Sequence, residues 1–181
     1  DTYLRATLEV MLDGSDIGAQ LVIGDTTYTK TATGWEAVAV VINGESFSEA
    51  EAEAALKALK PNDKVEILVS ATIDREHDFV AANYTLGQGA TLTVQKNIVA
   101  AVGTKLTVGA NATIIVEAGA HIDISNLTKD SFKPSSKANL EIQSGAKVTM
   151  PAFVEALWND AYLRATLEAM LAGSDIGAQL V

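Results

Sequence analysis

Asp74, Glu76 and Asp78 alternate along the stretch ATIDREHDFV. On an extended strand alternate side chains share a face, so the three carboxylates line one side, with Asp123 in a later strand as a fourth. Several oxygens converging from one region suit Ca²⁺, and calcium is the one cofactor this pattern suggests. The competing reading is a solvated strand edge, where charge discourages edge-to-edge pairing. Asp13, Asp16 and Asp25 form a weaker set. A second copy of their segment, described below, has Ala172 where Asp13 stands.

His77 and His121 are the only histidines, and there is no cysteine. A Zn²⁺ site would need both histidines together with a carboxylate, and nothing in their spacing brings them together. No G-x-S-x-G elbow presents a nucleophilic serine, and no glycine-rich loop ending in Lys-Ser/Thr cradles a phosphate. Asp74, Glu76, Asp78, Glu117 and Asp123 could supply paired carboxylates for sugar cleavage. The aromatic share is only 6%, too few rings to line a sugar groove, and Trp35 and Trp158 read as packing anchors. A T-x-T ladder for ice fails too, because the outward residues Thr93, Thr107, Ile115, Asp123, Glu141 and Thr149 are mixed. Asn83, Asn111 and Asn126 each open an N-x-T sequon. The sequence therefore predicts no catalytic residue and no enzyme.

Composition narrows the partners. The chain has 181 residues, 48% of them hydrophobic, and a net charge of −10. That excess repels nucleic acid and anionic lipid headgroups. No apolar run approaches the ~18 residues of a membrane span.

The elements that must carry these residues fall into three parts. Over residues 1–75 a small α+β unit is expected. Ala19 to Ile23, Thr26 to Thr31 and Trp35 to Ile42 read as strands. Ser48 and Glu51 form a capping box for a helix from Glu49 to Leu59, and Lys64 to Ile73 reads as one further strand. From 76 to 150 short strands recur in the phrases GATLTV, GTKLTV, ATIIV, GAHIDI, KANLEI and GAKVTM. Each holds two apolar residues around an outward one: Leu92/Val94, Leu106/Val108, Ile114/Val116, Ile122/Ile124, Leu140/Ile142 and Val148/Met150. The first members lie 14, 8, 8, 18 and 8 residues apart. Period-two alternation punctuated by glycine fits strands stacked around a shared interior. The expected class is thus α+β, mainly β, with a short-stranded β-solenoid or jelly-roll-like region over about 64–150 and helices near the ends. Over 151–181, Pro151 opens a helix to about 172, breaking near Asn159–Asp160.

The two ends match. Residues 1–22 read DTYLRATLEVMLDGSDIGAQLV and residues 160–181 read DAYLRATLEAMLAGSDIGAQLV, at a constant offset of 159. Only Thr2/Ala161, Val10/Ala169 and Asp13/Ala172 differ. A copied laboratory segment would be identical, whereas neighbouring natural repeats drift, so the chain reads as one period of a tandem array plus the start of the next. Leu4, Leu8, Met11 and Leu12 share a helical face. Their copies are Leu163, Leu167, Met170 and Leu171. Both faces are expected to be buried, in equivalent surroundings, as the interface between successive units.

The phrase G-A/T-x-L/I-x-V/I over Gly89 to Met150 resembles the repeat units of prokaryotic β-helical cell-surface proteins, of adhesin-passenger or surface-layer type. The resemblance implies an extracellular, self-assembling role: a structural unit of a fibre or surface layer whose partner is its own neighbour. The alternative is an adhesin module that displays the loop 125–136, SNLTKDSFKPSS, to a glycan or host protein.

Overall fold

The structure, a computed structural model, describes residues 7, 10–24, 26–32, 34–74 and 79–181. The protein is mainly β and is built around a β-solenoid of about four turns. Three parallel ladders form its faces. The first holds β5 (Lys64–Ile67), β7 (Asn83–Leu86), β10 (Lys105–Val108) and β13 (Phe132–Pro134). The second stacks β6 (Ser70–Ile73), β8 (Thr91–Val94), β11 (Thr113–Val116) and β14 (Asn139–Ile142). The third stacks β9 (Ile98–Val99), β12 (His121–Asp123), β15 (Lys147–Thr149) and β16 (Gln179–Leu180). Since these ladders are parallel, the jelly-roll alternative, an antiparallel arrangement, is ruled out.

The strands are short because each contributes two inward residues before a corner. Leu92, Ile114 and Leu140 stack in register, as do Val94, Val116 and Ile142, and all six are buried. Burying one such side chain fully contributes roughly 1.5–3 kcal/mol, repeated at every turn. The corners stack too. The amides of Gly87, Gly109 and Ser135 donate to Ile67, Leu86 and Val108 one turn earlier. At the next corner, those of Gln95, Glu117 and Gln143 donate to Ile73, Val94 and Val116. Before the third ladder, Gly119 and Gly145 hold positive φ of 77° and 75°, which only glycine adopts cheaply. The buried Ala120 and Ala146 follow them, which explains the recurring Gly-Ala.

Several expected boundaries shift for this reason. Lys64 to Ile73 is two strands, because Leu68 and Val69 turn a corner of the first coil. The first strand of the solenoid begins at Lys64, where the expected solenoid-like region of about 64–150 starts. Phe132–Pro134, placed in a display loop, is a strand with Phe132 buried, leaving a shorter excursion over 125–131.

Before the solenoid lie β1 (Gln20–Ile23), β2 (Thr26–Lys30), β3 (Trp35–Ile42) and β4 (Glu45–Ser48), all antiparallel. β3 pairs antiparallel with β5 and extends the first ladder. Helix α1 (Glu49–Lys57) follows. Its Glu51 carboxylate accepts from the Ser48 amide at 3.0 Å and the Ser48 hydroxyl at 2.9 Å. Ala52 and Leu56 of α1 join the core. At the other end, α2 (Phe153–Trp158) and α3 (Ala161–Met170) are separated at Asn159–Asp160. Asp160 Oδ1 caps α3 by accepting from the amides of Tyr162 and Leu163, both at 3.0 Å.

Candidate functional site

The segment at the C-terminal end of the solenoid is laid down as the beginning of a fifth turn. The amide of Asp175 donates to Ile142 O at 2.9 Å, taking the place that Gln143 holds over Val116. Gly177, with φ of 91°, follows Gly119 and Gly145 in their column. Gln179 N donates to Ala146 O at 3.0 Å and Val181 N to Val148 O at 2.9 Å, while Val181 O accepts from Met150 N at 2.7 Å. Ser174 Oγ accepts from the Ile142 amide at 3.1 Å and donates to Leu140 O at 3.2 Å. Asp175 Oδ2 accepts from the Ser144 amide at 3.1 Å. Helix α3 then covers the open end of the core: Met170 is 7% exposed, and Leu167 and Leu171 pack beside it.

The matching segment at the other end has the same local shape. Val10 and Met11 are helical, as are Ala169 and Met170. Ser15 N donates to Leu12 O at 3.0 Å and Ser174 N to Leu171 O at 2.9 Å. Ala19 N donates to Asp16 O, and Ala178 N to Asp175 O. Gly18 has a φ of 90°. Equal sequence thus yields equal local backbone, while the surroundings differ. Met11 is 75% exposed and Val22 is exposed. The expectation that both apolar faces are buried is therefore wrong for Met11. Leu12 is half-buried and lines a cavity of about 960 Å³ with Leu21, Ile23, Trp35 and Val69. Leu4 and Leu8 lie outside the described residues. Leu163 is exposed as well, so the expectation fails for it too, although it shares a face of α3 with Leu167 and Met170.

The carboxylates singled out for calcium are not all described: Glu76 and Asp78 lie outside the described residues. The other two do not meet. Asp74 follows β6 in the second ladder and pairs with Lys57 at 3.6 Å. Asp123 ends β12 in the third ladder, two turns further on. Lys57 is held above its usual range, chiefly by its hydrogen bond to Glu53 and, against slight desolvation, by Asp74. Burial pushes the Asp123 carboxyl up, but the Ser125 hydroxyl and amide, with His121 and Lys147, bring it below its usual value. Among the described residues, no three His, Asp or Glu side chains are placed to share a metal. His121 Nε2 instead meets Thr149 Oγ1 at 2.9 Å across the turns, and His77 lies outside the described residues. Among the described residues, no helix is long and apolar enough to cross a membrane.

The strongest functional signal is therefore the pair of duplicated segments. Sequence pattern located them but missed the residues that do the joining. Gln179 and Val181 act through backbone bonds, which leave no mark of residue type, whereas Ser174 acts through its hydroxyl and Asp175 through its amide and its carboxylate. Comparison with known protein families, characterised proteins and solved structures finds no match to this chain.

Proposed function

We propose that this chain is a structural repeat unit that joins head to tail through its duplicated terminal segments, forming a fibre or surface layer outside the cell. One observation carries the reading. Residues 174–181 continue the solenoid as a further turn, and their twins at 15–22 hold the same local shape with Val22 exposed and, among the described residues, paired to the β2 hairpin instead. In an array, the second segment is both the last turn of one unit and the first element of the next. A contact of this head-to-tail kind propagates without closing unless its rotation forms a ring. The net charge of −10 keeps such an array soluble and away from nucleic acid.

Chains of one, two and three periods test the proposal by small-angle scattering. A rigid array lengthens by a constant increment per period and keeps one cross-section. Independent beads on a flexible tether would refute it. Labelling intact source cells with an antibody to the chain tests the location, and label confined to permeabilised cells would place the array elsewhere.

A second reading has its own observation. The excursion over 125–131 lengthens the spacing in the second ladder from 22 residues (Ile114 after Leu92) to 26 (Leu140 after Ile114), and its polar residues stand outside the coil. An adhesin module would use that loop on a glycan or protein ligand. Selective glycan-array binding that is lost on replacing 128–131 would favour this reading over assembly.

A further inference from the structure

Among the described residues, β1 is the terminal strand of its sheet and pairs with β2 alone. In an antiparallel ladder each strand offers alternate residues to a given neighbour. Lys30 N donates to Ala19 O at 2.8 Å. With the register Gln20↔Thr29, Leu21↔Tyr28, Val22↔Thr27, it follows that Ala19, Leu21 and Ile23 bond β2. Gln20 and Val22 point their amides and carbonyls the other way. Their twins are Gln179 and Val181, the very residues whose backbone groups bond Ala146, Val148 and Met150. Leu180, twin of Leu21, points away from β15. The two copies of one strand thus use complementary edges: one turns to the hairpin, the other to the solenoid.

We infer that the unused edge of β1 receives the stretch Ala146–Met150 of a preceding copy of this chain, so that one hydrogen-bonded ladder passes unbroken between units. The third ladder of one unit, β9–β12–β15, would run through the shared strand into β2, β3, β5, β7, β10 and β13 of the next. The inference rests on the head-to-tail reading above and adds that a single strand serves both neighbours at once.

Two further observations fit the same occupant. A Cβ on Gly173 would stand 2.9 Å from Glu141 Cγ, whereas one on Gly14 would meet nothing within 4 Å. Gly14 does not hold a positive φ, so neither its backbone nor its present neighbours require glycine there. A Glu141 of the preceding copy would stand close enough there that a Cβ would force its side chain to shift, as at Gly173. Ser15 and Asp16 likewise repeat Ser174 and Asp175, which grip Leu140, Ile142 and Ser144. On the preceding copy they would grip the same three residues.

Amide hydrogen exchange, read by NMR, tests this on the chain as it stands and on a two-period chain in which residues 1–159 precede the full sequence. In the single chain, Leu21, Gln179 and Val181 exchange slowly, and Gln20, Val22 and Leu180 exchange fast. At the central junction of the two-period chain, the amides matching Gln179, Leu180 and Val181 should all be slow, with the Leu180 site slowed by about 100-fold or more. If that site stays fast while its two neighbours are slow, the shared ladder is wrong and the head-to-tail reading stands. If only the Leu180 site is slow, as Leu21 is in the single chain, or if all three are fast or the longer chain fails to fold as one species, both are overturned.

Discussion

Asp175 stands one turn above Gln143 in the column of corner residues and repeats its task. Gln143 Oε1 accepts from the Ala118 amide at 3.0 Å, and Asp175 Oδ2 accepts from the Ser144 amide at 3.1 Å. Each side chain thus caps the amide that follows the corner below it. A hydrogen bond to an ionised group contributes roughly 1.5–3 kcal/mol, less where exposed. Asp175 is exposed, so Asp175→Ala should destabilise the chain by about 1 kcal/mol in urea unfolding. Asp16→Ala, at the twin position, should change it by less than about 0.5 kcal/mol. Equal effects would mean that the two segments are not differently engaged.

The methionines give a larger contrast from the same logic. Met170 covers the end of the core beside Leu106, Ile122 and Leu140, while Met11 faces solvent. Met170→Ala removes buried methylenes and leaves a hole, at a cost of about 2–5 kcal/mol. Met11→Ala should be neutral within about 0.5 kcal/mol in a single period. In a two-period chain the residue matching Met11 of the second unit lies at the junction, and its substitution should cost as much as Met170→Ala. Thermal or urea unfolding of the three variants decides this.

How much of this could be read from sequence depends on the ladder. In the second, Leu92/Val94, Ile114/Val116 and Leu140/Ile142 stand out as apolar pairs in register. The irregular spacing of the recurring phrases arose because they belong to all three ladders. The missing members, Tyr84/Leu86, Ile98/Ala100 and Phe132/Pro134, lack the Gly-Ala preface. Phe132 was hidden among Ser, Lys and Pro, where turn residues outweigh a single aromatic. At the joining site, the duplication was plain, but which copy is covered was not. Identical residues such as Met11 and Met170 carry no record of their neighbours.

Gly109 tests the stacking of the corners. A Cβ there would lie 2.8 Å from Leu86 O and 3.0 Å from the carbonyl carbon of Gly87. Both are backbone atoms of the turn below and cannot swing aside. Gly109→Ala should therefore cost about 1–3 kcal/mol through overpacking, and it should broaden the unfolding transition if neighbouring turns separate. Gly14→Ala meets no such wall and should be tolerated in one period. A Gly109→Ala chain as stable as the parent would mean that the corners are looser than this stacking requires.

Asp63 fixes an acid limb to the stability. Its Oδ1 accepts from Asn43 Nδ2 at 2.9 Å and its Oδ2 from the Lys60 amide at 2.7 Å. Asn43 Oδ1 in turn accepts from the Lys64 amide at 3.0 Å, so the group pins the β3–β4 turn to the start of the solenoid. The Asn43 side chain, then the Lys60 amide and the Lys60 charge, hold the Asp63 carboxyl below its usual range against slight desolvation. The folded value lies below the unfolded one, so the unfolded chain binds more protons between them and stability rises with pH across that window. The contribution is complete above the unfolded value of about 4 and is lost as pH falls through the folded value. Asp63→Ala should thus be less stable than the parent at pH 7 and converge towards it as the carboxyl is protonated. Urea unfolding at neutral pH, near pH 4 and at about pH 2 measures the gap. A gap that stays constant across the three would mean that the hydrogen bonds to Asn43 and Lys60 do not depend on the charge.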